Sequence, residues 1–312
     1  MTLPRLGYLC MFDNPSDEAA RALTRQFVLV READRMGYDD IWIGEQHFDG
    51  QWPSAAIVAL LGHLAAVTSK ARIGSMALLP GLHDPIRLAE DIATLDLLSK
   101  GRLNLGLASG GAFAPALQRF GIKPGAARAR FLDMLDLLRE RLHDDEKLVP
   151  RPAQAALPTW IASDHGPTLA QAARLDIGLM AAATHTESRV RAALAHYPDA
   201  SRARLVLARF GCSAPTREQA LAIARPYFEA LAQRARDAGW GADPQRSMAR
   251  DVDALLAHSL VGSHAEVADK VRRLGSELGV SALALIPTSA QFDTHKHVLA
   301  DFVDEVRPLL DD

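Results

Sequence analysis

The sequence predicts one α/β domain over residues 1–312, folded as a (β/α)8 TIM barrel with insertions after the fourth and seventh strands. Two observations lead there. Short apolar runs recur between longer stretches of helical spacing, the pattern of parallel strands joined by crossover helices. The alternation also continues along the whole chain without a break in composition, which favours a closed barrel over an open doubly wound sheet.

Strands are expected at residues 6–11, 40–43, 72–79, 103–108, 159–162, 178–181, 205–211 and 282–286. Asp17 precedes the first helix, which Gly37 ends, and Asp84-Pro85 opens another that stops at Lys100-Gly101. After a helix over 126–143, the polar stretch 144–157, followed by Pro158, reads as a loop before the fifth strand. Region 216–278 is too long for one crossover. It holds a helix over 217–238 stopped by Gly239 and a second helix starting near Ser263. The residues between, 240–260, are expected across the barrel mouth, because such insertions often form lids or substrate walls.

Composition narrows the function. With 48% hydrophobic and 23% charged residues the chain can bury a large core. A net charge of −3, with both signs interspersed, creates no field that would gather nucleic acid or an anionic membrane. Cys10 and Cys212 lie far apart in apolar stretches, without zinc-site or disulfide-framework spacing, and read as core residues of a reducing compartment. Residues 1–13 lack a signal-peptide pattern and no other stretch approaches a membrane span, so a cytoplasmic location is expected. His47, His83 and His165 lack the spacing of a metal motif, so no metal site is expected and a metal-dependent hydrolase is disfavoured. Residues 55–67 are apolar on nearly every face, which predicts burial against a second subunit.

Barrel enzymes build their sites at the carboxyl ends of the strands. The second strand runs into Glu45-Gln46-His47, an acid, an amide and an imidazole able to bind, orient and protonate a ligand. The competing reading is that they tie neighbouring strands together. The third strand brings Met76 and Ala77, and the fourth ends in Ser109-Gly110, where small residues allow a flat ligand to approach the backbone. After the fifth strand, Ser163, Gly166 and Thr168 lead into a helix whose first N–H groups suit a phosphate. Here Thr168 or Asp164 reads equally well as a plain N-cap. Arg128 and Arg130 are candidates to reach such a phosphate, although most helix arginines are simply solvated.

These motifs resemble, in order and spacing, the bacterial-luciferase-like flavin-dependent monooxygenases and oxidoreductases. The carriers are the runs 37–48, 71–75, 82–91 and 95–103, with further matches at Phe120-Gly121, the loop after the fifth strand and Val261-Gly262-Ser263. The resemblance implies a (β/α)8 barrel that takes reduced FMN or, in some branches, a deazaflavin. It implies a flavin phosphate near Ser163, Gly166 and Thr168, with Arg128 or Arg130 as a further contact. It also places Met76-Ala77 where luciferase-type members have a non-prolyl cis peptide beneath the flavin. His47 is the implied acid/base group, since histidine is the side chain that changes charge nearest neutral pH, and Glu45 would orient it. Two departures matter. Gln46 stands where luciferase has the first of two histidines, and an amide cannot be a general base. Ser109-Gly110 stands where luciferase has an arginine. A luciferase-like aldehyde reaction therefore loses support. The expectation is a two-component monooxygenase, with a separate flavin reductase supplying reduced FMN and O2 oxygenating a small organic substrate, in a homodimer. A deazaflavin-dependent dehydrogenase and a non-catalytic flavin binder are the alternatives.

Overall fold

The computed structural model describes residues 4–14, 18–110, 114–123, 126–197, 204–238, 248–289 and 291–311. Among the described residues nine strands run β1 Arg5–Cys10, β2 Asp40–Ile43, β3 Arg72–Ser75, β4 Leu103–Ala108, β5 Thr159–Ala162, β6 Gly178–Ala181, β7 Leu205–Ala214, β8 Leu260–Ser263 and β9 Val280–Pro287. Every pairing among them is parallel. The order β6-β5-β4-β3-β2-β1-β9-β7, closed by β6 against β7, makes an eight-stranded barrel. The additional β8 is no barrel stave: it pairs with Gly211–Ala214, the outer half of β7, while β6 pairs with the inner half at residues 205–207.

The first strand ends at Cys10 rather than residue 11, the seventh runs on to Ala214 rather than ending at 211, and two larger strand expectations change. The third strand stops at Ser75 rather than running to residue 79, because the Ser75 hydroxyl takes over the ladder. Ser75 Oγ donates to Gly106 O at 2.8 Å and accepts from Gly106 N at 3.0 Å. The Met76–Ala77 peptide that follows is cis. Leu78 then rejoins β4 across an isolated bridge to Leu107. The second change is β8, which lies in the stretch read as leading directly to a helix at Ser263. That helix exists over His264–Leu278, with a capping box from Ser263 and Glu266, but a helix at Val252–His258 and then β8 precede it. Residues 239–247, which include much of the segment expected across the mouth, lie outside the described residues.

Asp17 and Gly239 lie outside the described residues, while Gly37 and Asp84 act as expected. The first helix, α1 (Ala19–Met36), ends at Gly37 in the left-handed conformation, φ +90°. The helices α2 (Ile57–Val67) and α3 (Pro85–Leu98) follow β2 and β3, and Asp84 caps α3 by accepting from Ile86 N and Arg87 N. Inside the barrel, Trp42 and Trp160 meet edge to face with centroids 5.6 Å apart. A Cβ at Gly74 would lie 2.6 Å from the Trp42 ring, so only glycine lets that indole fill the interior. Towards the amino ends of the strands, Asp40 pairs with Arg5 and accepts from Asn104 Nδ2 at 2.9 Å. Both cysteines are buried free thiols, and burial pushes each pKa up to about 12. Among the described residues no helix is long and apolar enough to cross a membrane.

Candidate functional site

At the carboxyl ends of β2 and β3 the backbone is stitched so that one carboxylate is held in place. Met76 N donates to Ile43 O at 2.6 Å, and Glu45 N to Ala77 O at 3.2 Å. The Glu45 side chain is then enclosed, the residue being only 2% exposed. Its Oε2 accepts from Leu79 N at 2.7 Å, while its Oε1 lies 2.8 Å from His47 Nε2 and 3.2 Å from His83 Nε2. A carboxylate is acceptor-only, so both imidazoles present Nε2–H to it and keep Nδ1 for other partners. Burial alone would raise the Glu45 pKa, but the bonds from His47, His83 and Leu79 N–H outweigh it and hold the carboxyl below its ordinary range.

An aromatic rim continues from this cluster. The His47 ring meets Phe120 edge to face at 4.9 Å, and Phe48 lies 5.6 Å from Phe120. Phe48 has a positive φ of 57° and carries the Arg119 guanidinium over its ring at 4.5 Å. Phe48 is 60% exposed and Phe120 42%, so two large apolar rings stand open to solvent beside the imidazole. On the far rim, the helix α8 (Arg217–Asp237) sends Arg234 over the Trp52 ring at 4.1 Å, and Trp52 Nε1 donates to Asp13 Oδ1 at 2.9 Å. These contacts tie the chain segments after β1, β2 and β7 together.

The remaining candidates fall into separate groups. Gln46 is half-buried and its N–H donates to Ser54 O at 3.4 Å. Met76, Ala77 and Ser109 are half-buried at the strand ends, and Gly110 is buried with φ +70°. After β5, the helix α6 (Gly166–Arg174) begins with His165 as N-cap, and neither Asp164 nor Thr168 caps it by a side-chain bond. Asp164 pairs instead with Arg189, and the buried Thr168 hydroxyl lies 3.0 Å from His165 Nδ1. Ser163 Oγ accepts from His165 N at 3.2 Å. Among the described residues, the N–H groups of Gly166 and Thr168 donate no hydrogen bond, as the first turn of a helix leaves them. Arg128 and Arg130 are exposed, and no hydrogen bond or ion pair among the described residues joins either to Ser163, Gly166 or Thr168. The Arg130 stem lies along Gly81, 3.7 Å from where a Cβ would stand, on the turn after β3.

Three residues that the sequence reading did not select belong to these groups: His83, Phe120 and Arg189. His83 and Phe120 had usable signals, Phe120 in the Phe120-Gly121 match and His83 by its place in the chain. His83 directly precedes the Asp84 cap of α3, which fixes its distance from the end of β3.

A parallel barrel whose strand ends hold an anchored carboxylate beneath two imidazoles is the architecture of a barrel enzyme with its site on the carboxyl face. The chain belongs to the luciferase-like monooxygenase family, whose model matches residues 4–282. A curated relative, the uncharacterized protein y4wF of Sinorhizobium fredii, is 31% identical over 166 residues, covering 47% of this chain and 48% of that protein. The match thus spans about half the length of that relative. Among solved structures, monooxygenase RslO1 of Streptomyces bottropensis superposes with a TM-score of 0.83 at 22% identity, covering 98% of this chain and 99% of that one. The oxygenating constituent of 3,6-diketocamphane monooxygenase from Pseudomonas putida, solved with FMN, gives 0.78 at 18% identity, covering 98% and 99%. An F420-dependent secondary alcohol dehydrogenase gives 0.74 at 16% identity, covering 100% of both chains.

Proposed function

We propose that this chain is the oxygenating component of a two-component monooxygenase, binding reduced FMN delivered by a separate reductase and acting on a small organic substrate. The observation that carries the reading is the Glu45–His47–His83 cluster beside half-buried, small-residue strand ends. The residues present fit a flavin. Ala77, Ser109 and Gly110 offer a floor with little side-chain bulk for a flat ring, Met76 adds a soft apolar contact, and Gln46 stands at the edge as a polar contact. The undonated N–H groups of Gly166 and Thr168 suit a phosphate, with Ser163 beside them. Reduced flavin, when bound, would supply the electrons and the reaction with O2. Arg128 and Arg130 take part only if their side chains turn away from their present surface positions.

The protein's own part is binding, exclusion of water and management of one proton. With Nε2–H of His47 held by Glu45 Oε1, Nδ1 is the ring atom left to accept or return a proton. Glu45 orients that ring and stabilises its charged form, and Leu79 N–H holds Glu45. The exposed Phe48 and Phe120 rings supply apolar surface for the substrate.

A second reading, hydride transfer with a deazaflavin and no O2, is supported by the likeness to the F420-dependent dehydrogenase. Visible-spectrum titrations with oxidised and reduced FMN, and turnover assays with each reduced cofactor with and without air, separate the two. Tight binding of reduced FMN and O2-dependent product are expected. Product formed without O2 from the deazaflavin alone would replace the first reading with the second. His47→Ala should abolish turnover with flavin affinity retained, and full activity in that variant would remove His47 from the mechanism.

The subunits are further proposed to pair in the cytoplasm as a homodimer through α2 and α3. Supporting this, α3 leaves Ile86, Leu97 and Leu98 exposed, and α2 leaves Ala59 and Ala66 exposed. Light scattering that finds only monomer would refute it.

A further inference from the structure

Between α1 and the helix α11 (Phe292–Asp301) lies a cavity of about 250 Å³ in which neither Glu45, His47 nor His83 takes part. Its floor is polar and held rigidly from behind. Gln26, 6% exposed, lies with its Oε1 3.1 Å from the Tyr8 hydroxyl and 3.3 Å from Cys10 Sγ. The other end of the Gln26 amide has no hydrogen-bond partner among the described residues and belongs to the cavity lining. His295, 4% exposed, has Nε2 3.2 Å from the same Tyr8 hydroxyl and Nδ1 3.2 Å from Ser289 O. Both floor groups are thus fixed by one buried tyrosine, and a ligand meets them in place rather than ordering them on arrival.

The rim is cationic. Arg21 and Arg25 stand one turn apart on α1 and both line the cavity. Arg25 has no ion pair and donates no hydrogen bond among the described residues, and its guanidinium carbon lies 5.8 Å from the centre of the Phe292 ring. Arg21 has one loose contact, 3.9 Å to Glu18 at the start of the helix. Among the described residues the lining holds one carboxylate, Asp13, which is engaged with Trp52 Nε1 and which burial pushes up to about 6. Two cations at the rim, one of them over an aromatic face, with a free amide end and a fixed imidazole ring beneath, form a recognition set for an anion that carries a flat apolar body. A dry cavity of roughly 150 Å³ accepts benzene, so this volume holds one ring and a carboxylate.

We propose that this cavity is a second binding site, for a small aromatic carboxylate, with Arg21 and Arg25 on the carboxylate and Phe292 against the ring. The site would adjoin the rim of the barrel mouth at Asp13 but use none of Glu45, His47 or His83, and would fill independently of flavin.

The test is calorimetric titration of the full chain with benzoate, alongside cyclohexanecarboxylate and inorganic phosphate. One benzoate should bind per chain, and Arg21→Gln/Arg25→Gln should weaken it by about tenfold or more, the scale of losing a charged hydrogen bond. Phe292→Leu should weaken benzoate more than cyclohexanecarboxylate. Circular dichroism checks that each variant folds, and Arg25→Lys, which keeps the charge, should retain more binding than Arg25→Gln. Absence of saturable benzoate binding, or binding unchanged in the double variant, overturns the site. Phosphate binding as tightly as benzoate overturns the aromatic class. Displacement of benzoate by FMN would put benzoate in the barrel mouth and overturn the separation of the two sites.

Discussion

His83 Nε2 lies 3.2 Å from Glu45 Oε1, the oxygen that also faces His47 Nε2 at 2.8 Å. One carboxylate oxygen thus joins two imidazoles from different βα loops, and in the proposed mechanism His83 would act on His47 through Glu45. His83→Ala removes one of the bonds that depress the Glu45 pKa, so that pKa rises and Glu45 protonates at higher pH. Turnover should fall roughly tenfold, with the acid limb of the kcat profile moved to higher pH. His83→Asn, which keeps an N–H donor, should restore part of both. An unchanged acid limb in His83→Ala would show that His83 only packs.

Two buried carboxyls near the ends of β2 should respond to pH with opposite sign. The Glu45 pKa is depressed in the folded chain, so its ionised form contributes stability above the unfolded value, and that contribution is lost as pH falls through the folded pKa. Asp40 is the reverse. Burial raises it to about 6 against the partial offset of Arg5, so its contribution is full below the unfolded value and is lost as pH rises through about 6. Urea denaturation across this range should show the deficit of Glu45→Gln growing with pH from the acid side. The deficit of Asp40→Asn should instead shrink between pH 4 and 6, by at most about 3 kcal/mol for a shift of this size. Parallel curves for Asp40→Asn and the parent chain would contradict the assignment.

Gly106 is the tightest point of the β3–β4 seam. An added Cβ would stand 2.1 Å from Ser75 O and 2.7 Å from Met180 Cε. The methionine can move, but the carbonyl belongs to the backbone that leads into Met76 and Ala77. Gly106→Ala should therefore cost at least about 2 kcal/mol in urea denaturation. Ser75→Ala removes the hydroxyl that serves both Gly106 backbone groups, leaving the buried Gly106 N–H without a partner while Gly106 O keeps Leu78 N–H, and should cost about 1–3 kcal/mol. A neutral result for either would mean that the seam adjusts more freely than its geometry implies.

What could be read in the residues alone was the part governed by local rules. Strands β2, β4, β5 and β6 fall where their apolar runs lie, and Gly37, Asp84 and Ser263 stop or start helices as their chemistry dictates. The early end of β3 was not legible, because it depends on Ser75 finding Gly106, 31 residues away. The four-residue β8 was hidden too, since so short a run before a capping box reads as the approach to a helix. At the site, Glu45 and His47 are near neighbours in sequence and on one strand end, so their meeting was foreseeable. His83 joins them only through the closed barrel. Arg130 shows the converse: its place in the sequence suggested reach towards a phosphate, whereas packing lays it along Gly81.

Trp52 links the barrel mouth to the long excursion after β7, and two substitutions separate its roles. Its ring lies under Arg234 near the end of α8, and its Nε1 donates to Asp13, opposing the burial that raises that carboxyl to about 6. Trp52→Ala removes a buried ring and should cost about 3–5 kcal/mol, with faster amide exchange in the last turns of α8. Trp52→Phe keeps an aromatic face for Arg234 but deletes the N–H donor. Exchange in α8 should then stay close to that of the parent, while the Asp13 pKa, followed by carboxyl NMR, moves above about 6 because burial is less opposed. If α8 loosens equally in both variants, the anchor is the Trp52–Asp13 hydrogen bond rather than the stacked guanidinium.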